Sequence, residues 1–349
     1  MFMEKLKQLK KDLDLLTNKI NKCKCNGLLR LYTESYDELS LLLEYYEYKI
    51  ETLPKLYKID SNACFNICDN FIKDIEFHKD ISNKILDIFD NSDYTYYNLQ
   101  KDNKINKKYM KELILDFYKS IDINIYNFVL NEINDNILDI EIDNNLSGAC
   151  YNIESISRSY LYLGKSYNKN DISFMLTLVH EIAHAIENKL LYSHGISNSY
   201  YPIYSEVISL FFEDLFLDYL KNNYIFEKER VFRINVTLEE DCAYYFDNIN
   251  QICNLYDNNI EYAYLNIWKN IDEFIDSIKY GYGYLISKYF LYLYRRDKQY
   301  CMRKFYNFIY SQKIVEDVNL YNSLNIDNYK FIIDYIEENN KDIKKYIKK

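Results

Sequence analysis

The sequence predicts a mainly α-helical protein with one small β-sheet beside a buried helix. Three observations carry that prediction. Gly 6 and Pro 2 are very few for 349 residues, which leaves little turn chemistry for a barrel or a sandwich. Apolar residues recur at helical spacing over long stretches. Only around residues 137–143 does the pattern change to a period of two. The length allows one to three domains and a large core, and no internal repeat is evident. Tyr is prominent at 40 copies, beside many Ile, Asn, Lys and Leu. An AT-rich genome produces the same bias, so abundance gives no single tyrosine weight.

Charge and thiols narrow the class. A net charge of -10 with a pI near 5.1 argues against nucleic acid as a partner and offers no basic face to an anionic membrane. Met1-Phe2-Met3-Glu4-Lys5 leads straight into a charged amphipathic helix, without an apolar signal region, and no apolar run is long enough to span a bilayer. The expectation is a cytoplasmic protein with reduced thiols. Cys23, Cys25, Cys64 and Cys68 could in principle supply a zinc site. Their spacings fit no common structural-zinc pattern, and buried free thiols are the plainer reading.

In chain order, residues 3–22 form a Lys-rich amphipathic helix with Leu6, Leu9, Leu13, Leu16 and Ile20 on one face. Helices over about 32–52 and 64–90 follow, divided by Pro54 and the capping run Asp60-Ser61-Asn62. His78, in the second, reads as a surface or packing residue. The polar stretch 91–106 is the best boundary, giving an N-terminal helical region, 1–95, and a second domain, 96–349. Helices resume at about 107–120 and 124–135. Residues 137–143 then alternate apolar and acidic, as a half-exposed strand does. Leu146 to Tyr151 and Tyr160 to Leu163 supply further extended pieces. An edge strand there could pair with a peptide backbone, or the hairpin could simply brace the next helix.

That helix, Asp171 to Tyr192, holds the most informative residues. His180 and His184 are four apart and stack on one face, where both imidazoles can reach one metal ion. Glu181 is turned aside by about 100° and can stand beside the metal as a base for its water without ligating it. After a loop containing His194, which reads as surface, Pro202 opens an oily helix to about residue 220 that carries Glu206, Glu213 and Asp214. A carboxylate buried there needs a partner or a metal. Glu206 is placed to be the third ligand, with Glu213 or Ser209 orienting it from behind.

Together these stretches resemble the zinc metallopeptidases of the thimet oligopeptidase and oligoendopeptidase F family. Ser147-Gly148-Ala149-Cys150-Tyr151 and Tyr160 to Leu163 resemble its turn and edge strand. Leu178 to His184 resembles its metal helix, and Ser205 to Glu213 its Glu-x-x-Ser-x-x-x-Glu segment. Tyr280-Gly281-Tyr282-Gly283-Tyr284 resembles its Gly-Tyr segment, and Leu324 to Asp327 its C-terminal end. The likeness covers about residues 110–349. The chain departs from the family at Ala183, where Gly is usual, and at Glu187, where a third His is usual. It also has far less N-terminal helical material.

The resemblance implies two helical lobes around a substrate cleft. It implies one Zn2+ per chain on His180, His184 and Glu206, with Glu181 as general base. Tyr284, or next Tyr280, would assist at the scissile carbonyl, and Gly148 and Ala149 would bring the edge strand to the substrate backbone. The activity it implies is hydrolysis of short peptides. A dedicated processing peptidase with one substrate, or a peptide-binding protein that has lost catalysis, are the alternatives. Oligomeric state is not legible.

Overall fold

The computed structural model describes residues 2–48, 61–90, 107–134, 138–140, 148–163, 172–194, 204–223, 228–311 and 330–347. The polar stretch 91–106, Ser147, Pro202 and residues 324–327 lie outside them. The fold is mainly α, as the scarcity of turn-formers predicts. The helices are α1 (Phe2–Lys22), α2 (Asn26–Tyr48), α3 (Ser61–Lys73), α4 (Ile75–Asp90), α5 (Lys107–Ile121), α6 (Ile123–Asn134), α7 (Ile172–Ser193), α8 (Ser205–Asn222), α9 (Lys228–Asn258), α10 (Ile260–Lys269), α11 (Ile271–Arg296), α12 (Lys298–Ser311) and α13 (Lys330–Ile347). The expected helix over 64–90 is two, broken at Asp74. No helix among the described residues is long and apolar enough to cross a membrane.

Three strands, β1 (Leu138–Ile140), β2 (Gly148–Ile153) and β3 (Arg158–Leu163), form the sheet in the order β1-β3-β2. β1 runs parallel to β3, and β2 pairs antiparallel with it, Gly148 opposite Leu163 and Ile153 opposite Arg158. The connection turns through Ser157, whose φ of 52° is tolerable for a small polar residue.

The chain divides into two units, each drawn from two stretches. One holds residues 1–58 and 101–198, the other 59–100 and 199–349. α3 and α4 fall in the same unit as the later helices. Phe71 meets Phe274 edge to face, Cys253 Sγ lies 3.8 Å from the Ile75 carbonyl, and His78 shares a hydrogen bond with Tyr282.

In the first unit α1 and α2 back the sheet. Leu9, Leu13, Leu16, Leu39 and Leu42 pack with Tyr151, Ile153, Tyr160 and Tyr162. Alternate residues of a strand face opposite ways, so Leu161 and Leu163, also buried, turn to the other face, where α7 packs on β2 and β3. The N-terminal helices thus fix the sheet on which α7 rests. A polar anchor goes with them: Asp12 accepts from the Tyr160 hydroxyl at 2.7 Å and lies 3.3 Å from Arg158.

In the second unit α8 packs along α11 and α4 along α9. Phe211 packs on Phe212, Phe290 and Phe305 at ring distances of 5.4–5.9 Å. His78 is buried and stacked on Phe71, so it is a packing histidine, and burial pushes its pKa down to about 3.

Candidate metal centre

α7 is apolar nearly all round because the sheet covers one side and α5 and α6 others. Such a helix is held rigidly, and its few polar groups are conspicuous. His180 and His184 emerge together, with Nε2 atoms 3.1 Å apart and ring planes inclined at 78°. Two nitrogens on one tetrahedral zinc ion stand about 3.3 Å apart, given bonds of about 2.05 Å. A hydrogen bond between two neutral imidazoles has a similar length. The pair therefore fits a metal without requiring one.

Two contacts set the height of this face. Tyr118 of α5, fully buried, donates to the Val179 carbonyl at 3.1 Å, one residue before His180. Asn188 donates to Ser159 at 3.0 Å, and Ser159 donates to Asn152 at 2.7 Å, tying α7 to both strands of the hairpin. Neither was readable from local spacing, since the partners come from separate elements.

Glu181 turns towards β2. A Cβ on Gly148 would lie 2.4 Å from Glu181 Oε1 and 2.7 Å from Thr177 Cγ2. Only glycine lets the strand's backbone pass so close to that carboxylate. Ala149 faces the α1–α2 side of the sheet, so its contribution to an outer partner would be its backbone. β3 lies between β1 and β2, so Tyr160 to Leu163, which the resemblance sets as the edge strand, is central, and the edge beside Glu181 is β2. Glu187, in place of the family's third histidine, is fully buried.

In the second unit, Glu206 stands in the first turn of α8 and is only 5% exposed. Ser209 donates to its Oε2 at 3.1 Å and to its backbone carbonyl at 3.0 Å. Oε1 faces Lys279 of α11, whose Nζ lies 3.6 Å away, and the Ser205 hydroxyl at 3.5 Å. Gly283 permits this approach of α11, for a Cβ there would come 3.2 Å from Glu206 Cβ and from Leu210 Cδ1. Ser209 thus orients Glu206, and Glu213 is buried farther along the helix. Lys279 was not anticipated, because no local pattern links it to a glutamate on another helix.

The two tyrosines part company. Tyr280 stacks on Tyr245 at 5.0 Å and 16°, and the Lys279 ammonium lies 5.7 Å from its ring centre. Tyr245 is pushed up to about 12 by burial and by Asp241, Asp276 and Glu206. Tyr284 instead has the Lys288 ammonium 4.6 Å from its ring centre. It lines a cavity of about 380 Å³ with Asp214, Asp218, Lys288 and Arg295, beside the later turns of α8. His194, the remaining histidine, is exposed and lies 3.0 Å from the Leu190 carbonyl.

No protein-family profile matches the sequence, and no curated protein matches it. Two solved structures are similar. One is a protein assigned as an oligoendopeptidase F from Bacillus anthracis str. Ames, with a TM-score of 0.52 and 15% identity. The other is a protein assigned as a peptidase from Chlamydophila abortus, with a TM-score of 0.55 and 14% identity. The chain shares their fold. The match covers 91% and 90% of this chain but only 64% and 62% of theirs, so it spans less than two-thirds of either. The oligoendopeptidase-like fold agrees with the resemblance read from the sequence.

Proposed function

We propose that the chain is a zinc-dependent endopeptidase that hydrolyses short peptides. His180, His184 and Glu206 would be its donor set, two imidazoles and a carboxylate, the ligand types a catalytic zinc takes. Zinc held by them would supply Lewis-acid polarisation of a water and of the peptide carbonyl. The observation that carries the reading is the placing of Glu181 between the histidine pair's helix and the β2 backbone at Gly148. A carboxylate there can take the proton of the attacking water and return it to the leaving nitrogen. The edge of β2 can hold an extended peptide through its main chain, independent of sequence, which suits a set of short unfolded substrates. The fold shared with two proteins assigned as peptidases supports the same reading.

The test combines metal analysis with an unbiased peptide library. The parent protein is expected to carry one zinc per chain and to cut many short peptides. Glu206→Ala is expected to lose the metal. Glu181→Gln should keep it and lose activity by several orders of magnitude, because the proton acceptor and its charge are gone. Cleavage by Glu181→Gln within tenfold of the parent would overturn the mechanism, and cutting confined to one motif would make the protein a dedicated processing peptidase.

A further inference from the structure

Lys279 stands where the proposed third metal ligand needs a counter-charge. Glu206 is a carboxylate whose side chain is 6% exposed on an otherwise oily helix, and such a group is costly unless compensated. Ser209 holds Oε2, while Oε1 faces the Lys279 ammonium at 3.6 Å. The same ammonium lies 3.5 Å from Asp276 Oδ1, one turn back on its own helix. The two carboxylates differ in setting, since the Asp276 side chain is 55% exposed. Lys279 therefore sits between a buried carboxylate and a solvated one, on a stem long enough to favour either.

We propose that Lys279 competes with the metal for Glu206, and that Asp276 receives the ammonium when the metal binds. This rests on the reading of Glu206 as a zinc ligand. A dication about 2 Å from a carboxylate oxygen and an ammonium near that same oxygen are like charges in a poorly solvated place. Without the metal, the ammonium compensates the buried carboxylate. With the metal, that compensation is redundant and repulsive, and Asp276 offers the displaced lysine a partner without unwinding α11. Lys279 thereby lowers metal affinity and helps to compensate Glu206 in the metal-free chain.

The proposal makes two variants move in opposite directions, which a merely structural ion pair would not do. Zinc affinity is measured with zinc alone, on metal-stripped full-length protein, by competition with a chromophoric chelator. Circular dichroism confirms that each stripped variant is folded. Lys279→Met should bind zinc about tenfold tighter than the parent, because the competitor is gone. Asp276→Asn should bind it several-fold more weakly, because the ammonium is left with Glu206 alone. Lys279→Arg should stay near the parent. The Asp276→Asn arm stands even if Lys279→Met does not fold, since Asp276 is exposed. Zinc affinity unchanged or weakened in Lys279→Met, or unchanged in Asp276→Asn, overturns the proposal. His184→Ala separates the two levels. If it binds zinc as the parent does, the metal site itself is misread and this proposal falls with it. If it loses zinc while Lys279→Met matches the parent, only the role of Lys279 falls.

Discussion

Gly148 and Glu181 cannot both keep their places if residue 148 carries a side chain. A methyl there would lie 2.4 Å from Glu181 Oε1 and 3.0 Å from Glu181 Cδ. Glu181 meets it with the end of a flexible side chain, which can be pushed aside, while Thr177 Cγ2, 2.7 Å away on a stiff β-branched side chain, must turn as well. On the proposed mechanism, Gly148→Ala is expected to fold and to keep zinc, yet to lower kcat by about a hundredfold or more as Glu181, the proposed base, leaves its position. Parental kcat in a folded, zinc-loaded Gly148→Ala enzyme would mean that Glu181 acts from elsewhere or not at all.

The tyrosines of α11 can be told apart in the same way. Tyr284 is flanked by the Lys288 ammonium and lines the cavity beside Asp214 and Asp218. Glu206 is in the first turn of α8, about 12 Å along the axis from Asp214 at 1.5 Å per residue. Tyr280 neighbours Lys279, which reaches Glu206. We therefore expect Tyr280 to assist a reaction near Glu206, with Tyr284, which the resemblance puts first, as the alternative. Tyr280→Phe should lower kcat by roughly tenfold to a hundredfold with little change in KM. Tyr284→Phe should leave kcat within about threefold and act on stability. Equal kcat in all three enzymes would leave the tyrosines as packing alone.

What was legible in the sequence was local. His180, Glu181 and His184 declare themselves because their spacing is fixed by one helix, and Glu206 because a carboxylate on an oily helix is anomalous wherever it packs. Ser209 followed from its place one turn later. Lys279 did not, because its partner is on a different helix and one lysine among many carries no mark. Asp12 looked like any acid on a Lys-rich surface helix, yet it is 2% exposed because Tyr160 and Arg158 come to it from β3. The grouping of α3 and α4 with the later helices was not legible for a similar reason. Composition marked the polar stretch 91–106, but the contacts that place α3 and α4 are long-range, such as His78 with Tyr282, 204 positions apart.

His78 gives a pH dependence with a definite sign. Burial lowers its folded pKa to about 3 from an ordinary value of 6.5, so the folded chain keeps it neutral. In the unfolded chain it protonates below 6.5. The depressed value contributes stability that is intact above pH 6.5 and is lost progressively as the pH falls towards 3. At pH 5, about 1.5 units below the unfolded value and at about 1.4 kcal/mol per unit, the loss is about 2 kcal/mol. Urea unfolding at pH 7.5 and pH 5 should show the parent losing about that much more than His78→Gln, which cannot titrate but can still pair with Tyr282. Identical losses in the two proteins would mean that His78 is not held neutral by the fold.

The Lys288–Asp214 pair tests how the cavity wall beside α8 is held together. Lys288 Nζ donates to Asp214 Oδ1 at 2.6 Å, with side chains 9% and 6% exposed, and Ser287 donates to Asp214 Oδ2 at 3.3 Å. Burial pulls the Lys288 pKa down, but Asp214 and then Glu239 more than offset it and leave it above the ordinary value. The ammonium is thus charged throughout the physiological range, and removing it strands a buried carboxylate. Lys288→Met should cost about 3–5 kcal/mol, most of it the penalty of the unpaired charge rather than the worth of the pair. Asp214→Leu alone should cost a similar amount by stranding the ammonium. The double variant should recover much of the loss, since neither charge remains to be desolvated, so the coupling between the sites should be a few kcal/mol. Four unfolding curves, for the parent, both single variants and the double, give that coupling directly. If the two single losses simply add in the double variant, the charges are not compensating one another. Zinc content, read in parallel, should stay at the parental level in all four proteins, since neither residue belongs to the proposed ligand set.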